Sequence, residues 1–475
     1  MKTSNKKQIL KRMLAIVLAF IMLCSLAACG GKTDEDENDG DSTKLNTSTD
    51  DSVVDMDGYE FTIASSYLLD EPVLSEITAA EAIFEEIRHK VEKDYNCKIT
   101  ILPIQANNIE NVRSKILAGD KIADIIDVSV ANILPMARAG YIIPLESVDG
   151  LNLDDSRWVS GYTNLTEFNG QHYGINFMLP AEARSCIVYN REILKQYGIT
   201  EDPQELMKNG EWTFEKLREM CKALTKDTNS DGQTDVYGLF FHREEEFALD
   251  LMLANGASLV TSVDGVAKEN FNTPETITAL NYLNDLVNTD KSAVWNNSGG
   301  VYVSDKELVA NFVAGKYAFW ACETWNINQS LKPICGDLDY GLVSIPKGPN
   351  AESYVCPSQN ARNFCITSKN EDVDKTVVIL NALARYMEEY GGEENWWHYD
   401  LEKDYFQDGD TASVNAYITC LNNATIDMGV GVTALWDDFQ EVVVKDAIFN
   451  NKGTPASRIE SISGKYQSAI DAIYN

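Results

Sequence analysis

The sequence predicts an α/β fold in which strands alternate with helices around a largely parallel sheet. Three observations carry this. Short apolar runs rich in β-branched residues are followed, again and again, by amphipathic stretches with apolar residues at helical spacing. Small and polar residues cluster where the strands end. The chain has 475 residues, which is too long for one core, so two or three domains are expected.

The folded body opens at "DGYEFTIASS", where Phe61 and Ile63 alternate with polar residues as a strand running into a loop of small residues. A helix is expected from Ala79 to Tyr95, with Ile83, Ile87 and Val91 at four-residue steps. "CKITILPI" is the next strand, "NIENVRSKILAGD" a short helix closed by Gly119, and "ADIIDVSV" a buried strand. In open sheets of this kind ligands gather at the carboxyl ends of strands, which places Ser65, Ser66, Ser129 and Asn132 in candidate ligand loops. Asn169 and Gly170 then mark a tight turn, and a helix starts near Arg191. Thr213 caps the helix in "NGEWTFEKLREMCKALTKD", and Thr273 with Pro274 opens another. "DKELVANFVAGKYAFWACETW" reads as helix, glycine, strand and loop, and "DVDKTVVILNALARYMEEYGG" as a helix stopped by two glycines. In the last segment, "TPASRIESISGKYQSAIDAIYN", Ile459, Ile462, Tyr466, Ile470 and Ile473 fall on one helical face. There is no internal repeat.

The N-terminus is of a different kind. Lys2, Lys6, Lys7, Lys11 and Arg12 precede an apolar run from Met13 to Ala28 that ends in small residues. That is the pattern of a secretion signal; the run is shorter than the roughly 20 apolar residues of a membrane span. Leu26-Ala27-Ala28-Cys29-Gly30 resembles a bacterial lipobox, which implies cleavage before Cys29 and lipidation of its thiol; an ordinary cleaved signal is the alternative. Residues 29–55 are acidic and poor in large apolar side chains. They cannot offset the entropy of ordering, and they read as a disordered tether. Such a tether reaches about 30 Å.

The formal charge is −33, which argues against nucleic acid and against direct binding to anionic lipid. Of ten cysteines, eight lie in the body: Cys97, Cys186, Cys221, Cys322, Cys335, Cys356, Cys365 and Cys420. They contain no C-x-x-C pair, so a zinc or redox motif is not expected. Disulfides and free buried thiols both remain open.

Four stretches, taken in order, resemble the extracellular solute-binding proteins of ABC importers, in the carbohydrate-binding group that includes maltose-binding protein. They are "NGQHYGINFMLPAEARSCIVYNREILKQYGI", "EWTFEKLREMCKALT", "NFVAGKYAFWACETWNINQSL" and "DYGLVSIPKGPN". The departure is at Asn176-Phe177, where the family often has proline; here the proline is Pro180. The resemblance covers Asp57 to the C-terminus and implies a two-lobe, type II periplasmic-binding-protein-like fold. The implied division is a signal over 1–28, the tether over 29–55, an N-terminal lobe from 56–181 and 320–357, and a C-terminal lobe from 182–319 and 358–475. Crossings are expected near Leu179–Arg184, Phe319–Cys322 and Pro357–Asn363. The resemblance also implies hinge closure around the ligand, delivery to permease subunits in the membrane, and a monomer.

A sugar site needs flat apolar surface for the C–H faces and fixed polar groups for the hydroxyls. "FWACETW" is the first candidate, with Glu323 and Trp325 in the loop after a strand and Trp320 in the core. The resemblance places a sugar-stacking ring at Trp325. Trp436 with Asp437 is the second candidate. Glu182 and Arg184 at the hinge strand are set to bond hydroxyls or to form a structural ion pair. Trp295, Tyr162 and Tyr302 are weaker candidates, each weighed against a place in the core. Trp396-Trp397 is expected to pack a helix onto a lobe.

"DTNSDGQTDVYG" carries calcium-loop spacing: Asp227, Asn229, Asp231, Gln233 and Asp235 at positions 1, 3, 5, 7 and 9, with Gly232 at position 6. Position 12 is Gly238 rather than glutamate. A structural calcium ion and a self-stabilised Asp/Asn/Gly turn are the two readings.

For an enzyme, the four histidines His89, His172, His242 and His398 have no metal spacing. Neither a nucleophile elbow nor a phosphate-binding glycine loop is present, and acid pairs are too common here to signify a glycosidase. Within the binder class a cationic ligand, such as a polyamine or peptide, is the alternative to sugar, because it would suit an acidic protein.

Overall fold

The structure, a computed structural model, describes residues 53–474 apart from 67, 69, 71, 73–78, 105–108, 156, 159, 169, 178–182, 265, 297–303 and 390–400. Glu182, Tyr302, Trp396, Trp397, the signal and nearly all of the tether lie outside the described residues.

Two sheets organise the body. The first runs, edge to edge, Arg362–Ile366, Ile125–Ser129, Tyr59–Ala64 and Cys97–Leu102. The last three strands are parallel and the first is antiparallel. Phe61, Ile63, Ile99, Ile101, Ile125 and Val128 are buried in it. Helix Ala79–Tyr95 covers one face and buries Ile83, Ile87 and Val91. Helix Val373–Glu389 packs beside it, with Tyr95 and Tyr386 edge to face at 6.4 Å.

The second sheet runs Ala293–Trp295, Tyr237–Phe241, Tyr317–Glu323, Ser185–Asn190 and Tyr340–Val343. Its first three strands are parallel, and Ser185–Asn190 is antiparallel to both its neighbours. Helix Phe214–Leu224 packs on it, capped by Thr213, whose hydroxyl accepts the Lys216 N–H at 3.3 Å. Helix Thr411–Asn422 packs on strand Tyr340–Val343.

The strand pairing corrects the expected lobe boundaries. Residues 320–357 were assigned to the N-terminal lobe, yet strand Tyr317–Glu323 inserts between Ser185–Asn190 and Tyr237–Phe241 of the second sheet. Phe319–Cys322 is therefore the interior of a strand and not a crossing. Residues 358–475 are expected in the C-terminal lobe, yet Arg362–Ile366 pairs with Ile125–Ser129 and helix Val373–Glu389 packs on helix Ala79–Tyr95 of the first lobe. The passage from the second sheet to the first includes the short pair Cys356–Pro357 with Ala424–Thr425. The C-terminal segment also differs from the expected single helix. It is two helices, Pro455–Ile462 and Gln467–Tyr474, separated at Gly464 with φ of 78°. The Glu269 carboxylate accepts the backbone N–H groups of Gly464 and Tyr466 across that break.

Candidate functional site

The first sheet contributes a rigid polar wall. Ser65 follows strand Tyr59–Ala64 and is fully buried. Its hydroxyl donates to Asp127 Oδ2 at 2.7 Å and accepts the Leu68 N–H at 3.0 Å. Asp127, 1% exposed, accepts Arg362 Nε–H at 2.8 Å and forms an ion pair with Arg362 Nη2. Arg362 also donates to the Ser65 hydroxyl at 3.2 Å. With no exposed surface, Ser65 acts through this network. Ser129 is also buried and accepts from Asn132 at 3.2 Å. Helix Val130–Arg138 starts here, and its first N–H groups donate to the carbonyls of Ala361 and Gln359 in the crossing segment.

That crossing segment reaches the second sheet through Asn360, whose amide donates to Glu323 Oε1 at 3.2 Å. The other carboxylate oxygen of Glu323 accepts the indole N–H of Trp325 at 2.5 Å. The Glu323 backbone N–H donates to Asn326 Oδ1 at 3.2 Å. Trp325 is half-buried, and the bond to Glu323 fixes the plane of its ring.

Around this pair opens a pocket at the carboxyl ends of strands Tyr237–Phe241 and Tyr317–Glu323. Ser185, Ala321, Cys322 and Asn326 line it on one side, and His242, Arg243, Glu246 and Asp250 on another. Phe241 and Phe247, stacked at 4.9 Å, complete the lining. Asp250 accepts the Ser185 hydroxyl at 3.0 Å, and Glu246 pairs with Arg243 at 2.9 Å. Burial pushes the Glu246 carboxyl up to about 7; Arg243 opposes this, while Glu323 and Glu245 add to it. Burial also raises Asp250 well above the usual carboxylate range, against the pull of its Ser185 hydrogen bond.

The other expected site residues disperse. Arg184 is buried at the start of strand Ser185–Asn190, and its carbonyl accepts the Thr324 N–H at 3.0 Å. Trp295 reaches the same carboxyl end, in register with Phe241, but its ring rests on Phe449 at 4.7 Å. Trp436, in helix Thr433–Asp438, stacks at 5.7 Å on Phe439 just past its end, and Asp437 is exposed beside it. Neither Trp295, Trp436 nor Asp437 lines the pocket. Tyr162 is buried in the first lobe, and Trp320 packs on Phe312 at 5.7 Å. Sequence reasoning missed Asp127, Arg362, Asn360, Arg243, Glu246 and Asp250. One signal pointed to two of them, Arg243 and Glu246: "FFHREEEF" places its charges just past a buried strand, at the ligand end of a parallel sheet.

The 227–235 loop closes on itself. Asp227 accepts the N–H groups of Asp231 and Gly232, Asn229 accepts that of Asp231, and Asp231 accepts that of Gln233. Asp235 accepts from the Thr228 backbone and hydroxyl. No group of three or more His, Cys, Asp or Glu among the described residues is placed to hold a metal ion. A Cβ at Gly238 would meet the Cys221 carbonyl at 2.3 Å, so position 12 has no room for the glutamate of a calcium loop. These internal bonds support the self-stabilised turn of the two readings.

A sequence model of the family described as bacterial extracellular solute-binding protein matches residues 72–394. The chain belongs to that family. No curated protein matches it. Among solved structures it is similar to the GacH receptor of Streptomyces glaucescens, studied unliganded and with acarbose, at 16% identity and TM-score 0.61, over 87% of this chain and 98% of that one. The maltose/maltodextrin-binding domain MalE from Bdellovibrio bacteriovorus, bound to maltotriose, is similar at 17% identity and TM-score 0.57, with 87% and 98% covered. UgpB from Mycobacterium tuberculosis, in complex with glycerophosphocholine, is similar at 15% identity and TM-score 0.61, with the same coverage. The fold is that of the type II periplasmic binding proteins, two discontinuous lobes joined by crossing segments. No helix among the described residues is long and apolar enough to cross a membrane.

Proposed function

We propose that the protein captures a sugar or oligosaccharide in the cleft at Trp325 and delivers it to the permease subunits of an ABC importer. It does so as a monomer held outside the bacterial cell membrane through lipidated Cys29, without turning the ligand over and without binding nucleic acid. The single observation that carries the reading is the Trp325–Glu323–Asn360 chain. A half-buried indole offers a sugar C–H face, its carboxylate partner offers hydroxyl acceptors, and the amide ties both to the segment that crosses between the sheets. The sugar complexes of structurally similar proteins support it.

A second reading has its own observation. Three carboxylates, Glu246, Asp250 and Glu323, line the pocket against one arginine, Arg243. An ammonium group on the ligand would restore that balance, as in a polyamine, a peptide or an amino sugar. A thermal-shift panel of neutral oligosaccharides, amino sugars and polyamines separates the two. A ligand at 100 times its Kd stabilises by about 2.7 kcal/mol. A shift with neutral glycans alone supports the first reading, and a shift with cations alone replaces it. Product formation from any glycan would defeat both.

A further inference from the structure

The functional reading leaves the eight cysteines of the body unused, and four of them lie together. Cys186 and Cys322 are directly opposed on strands Ser185–Asn190 and Tyr317–Glu323. Cys356 begins the passage back to the first sheet; its backbone N–H donates to Asn423 O at 2.8 Å, and its thiol reaches Ser185 O at 3.3 Å. Cys420 closes the group from helix Thr411–Asn422, with its thiol against that of Cys356. All four are free thiols.

Access separates them. Cys186, Cys356 and Cys420 are at most 1% exposed, whereas Cys322 is half-buried and lines the pocket. Cys97 is also half-buried, but burial and the nearby Glu92 carboxylate push its thiol up to about 11, which leaves little thiolate. Geometry then selects the partner of Cys322. Thr324 N–H donates to Arg184 O, so by the alternation of an antiparallel ladder Cys186 and Cys322 form a hydrogen-bonded pair with side chains on one face. Such pairs have Cα atoms about 5.5 Å apart, inside the span of roughly 4.4–6.8 Å that a disulfide bridges, but their Cβ atoms lie wider than the roughly 3.5–4.5 Å of a relaxed bond, so the strands must draw together and the bond is readily reduced. The Cys186 thiol already donates to the Cys322 carbonyl at 3.5 Å.

We propose that Cys322 and Cys186 form a reversible dithiol–disulfide site on the pocket floor, oxidised by small-molecule disulfides. The Cys322 thiolate attacks one sulfur of the oxidant, forms a mixed disulfide and expels one thiolate, which takes up a proton. Burial holds the Cys186 thiol well above its ordinary range, so it gives up its proton only as it attacks the Cys322 sulfur; the attack closes the protein disulfide and expels the second thiolate, which takes up that proton. Two protein thiols lose two electrons and two protons, and one disulfide becomes two thiols. Because Cys322 directly precedes Glu323, the cross-link fixes the strand end that presents the Glu323–Trp325 pair.

The test uses the reduced full chain, oxidised glutathione and peptide mapping by mass spectrometry over time. Among the eight cysteines of the body, Cys322 is expected to acquire glutathione first, and a linked Cys186–Cys322 peptide to replace the adduct. Cys186→Ser should stop the reaction at the Cys322 adduct, and dithiothreitol should reverse both products. The wild-type map alone decides the matter if a variant misfolds. Labelling of Cys322 no faster than of Cys356 or Cys420, or a bond joining any other pair, overturns the site.

Discussion

At the scale of single residues, the wall of the first lobe depends on one ion pair. Asp127 is almost wholly buried, so removing Arg362 leaves its carboxylate with the Ser65 hydroxyl as its side-chain partner among the described residues. Arg362→Ala is expected to cost about 3–5 kcal/mol in chemical denaturation, well above an exposed ion pair. Glu246 acts in the opposite sense. Its carboxyl is raised from 4.5 to about 7 in the folded protein, so its contribution to stability is full below pH 4.5 and is lost as the pH rises through about 7. The wild type should therefore lose stability across that window. Glu246→Gln, which keeps the shape without the charge, should lose less, and equal pH profiles for the two proteins would refute this. Trp325 was legible because the resemblance places a stacking ring just past the strand, whereas Glu323, expected in that loop, is the last residue of the strand itself. Arg362 and Asp127 were not legible, because their partnership spans 235 residues of chain and exists only once the antiparallel edge strand has joined the first sheet.

At the scale of elements, local pattern was a good guide. The helix over Ala79–Tyr95, the Thr213 and Thr273 caps and the strands of the first lobe follow from periodicity and capping chemistry alone. One element reading failed for reasons of packing. The C-terminal apolar face continues in sequence across Gly464, but the chain turns there and Glu269 caps the second piece. At position 12 of the calcium spacing, Gly238 sits against the backbone of helix Phe214–Leu224. That close approach makes Gly238→Ala an overpacking mutation, expected to cost about 1–3 kcal/mol or more in denaturant titration. With the loop held by its own hydrogen bonds, calcium against chelator should leave the melting temperature unchanged. A rise of several degrees with calcium would restore the ion.

At the scale of the whole molecule, two sheets present their carboxyl ends to shared crossing segments, and the Glu323–Asn360 bond ties the pocket to one of them. An α/β body of two or three domains was readable from length and element order, and its two lobes followed from the family resemblance. Their boundaries were not, because insertion of Tyr317–Glu323 between two other strands is a pairing decision made at long range. If Cys29 anchors the chain, Cys29→Ser should release the protein from membranes into the medium, a change that fractionation detects.

The most direct measurement is calorimetric titration of the wild type and Trp325→Ala with whichever neutral glycan gives the largest thermal shift. The wild type should bind it, and the variant should bind at least about tenfold more weakly, a loss of about 1.4 kcal/mol, while its ligand-free melting temperature stays nearly unchanged. Equal affinity in the two proteins would contradict ligand capture at Trp325.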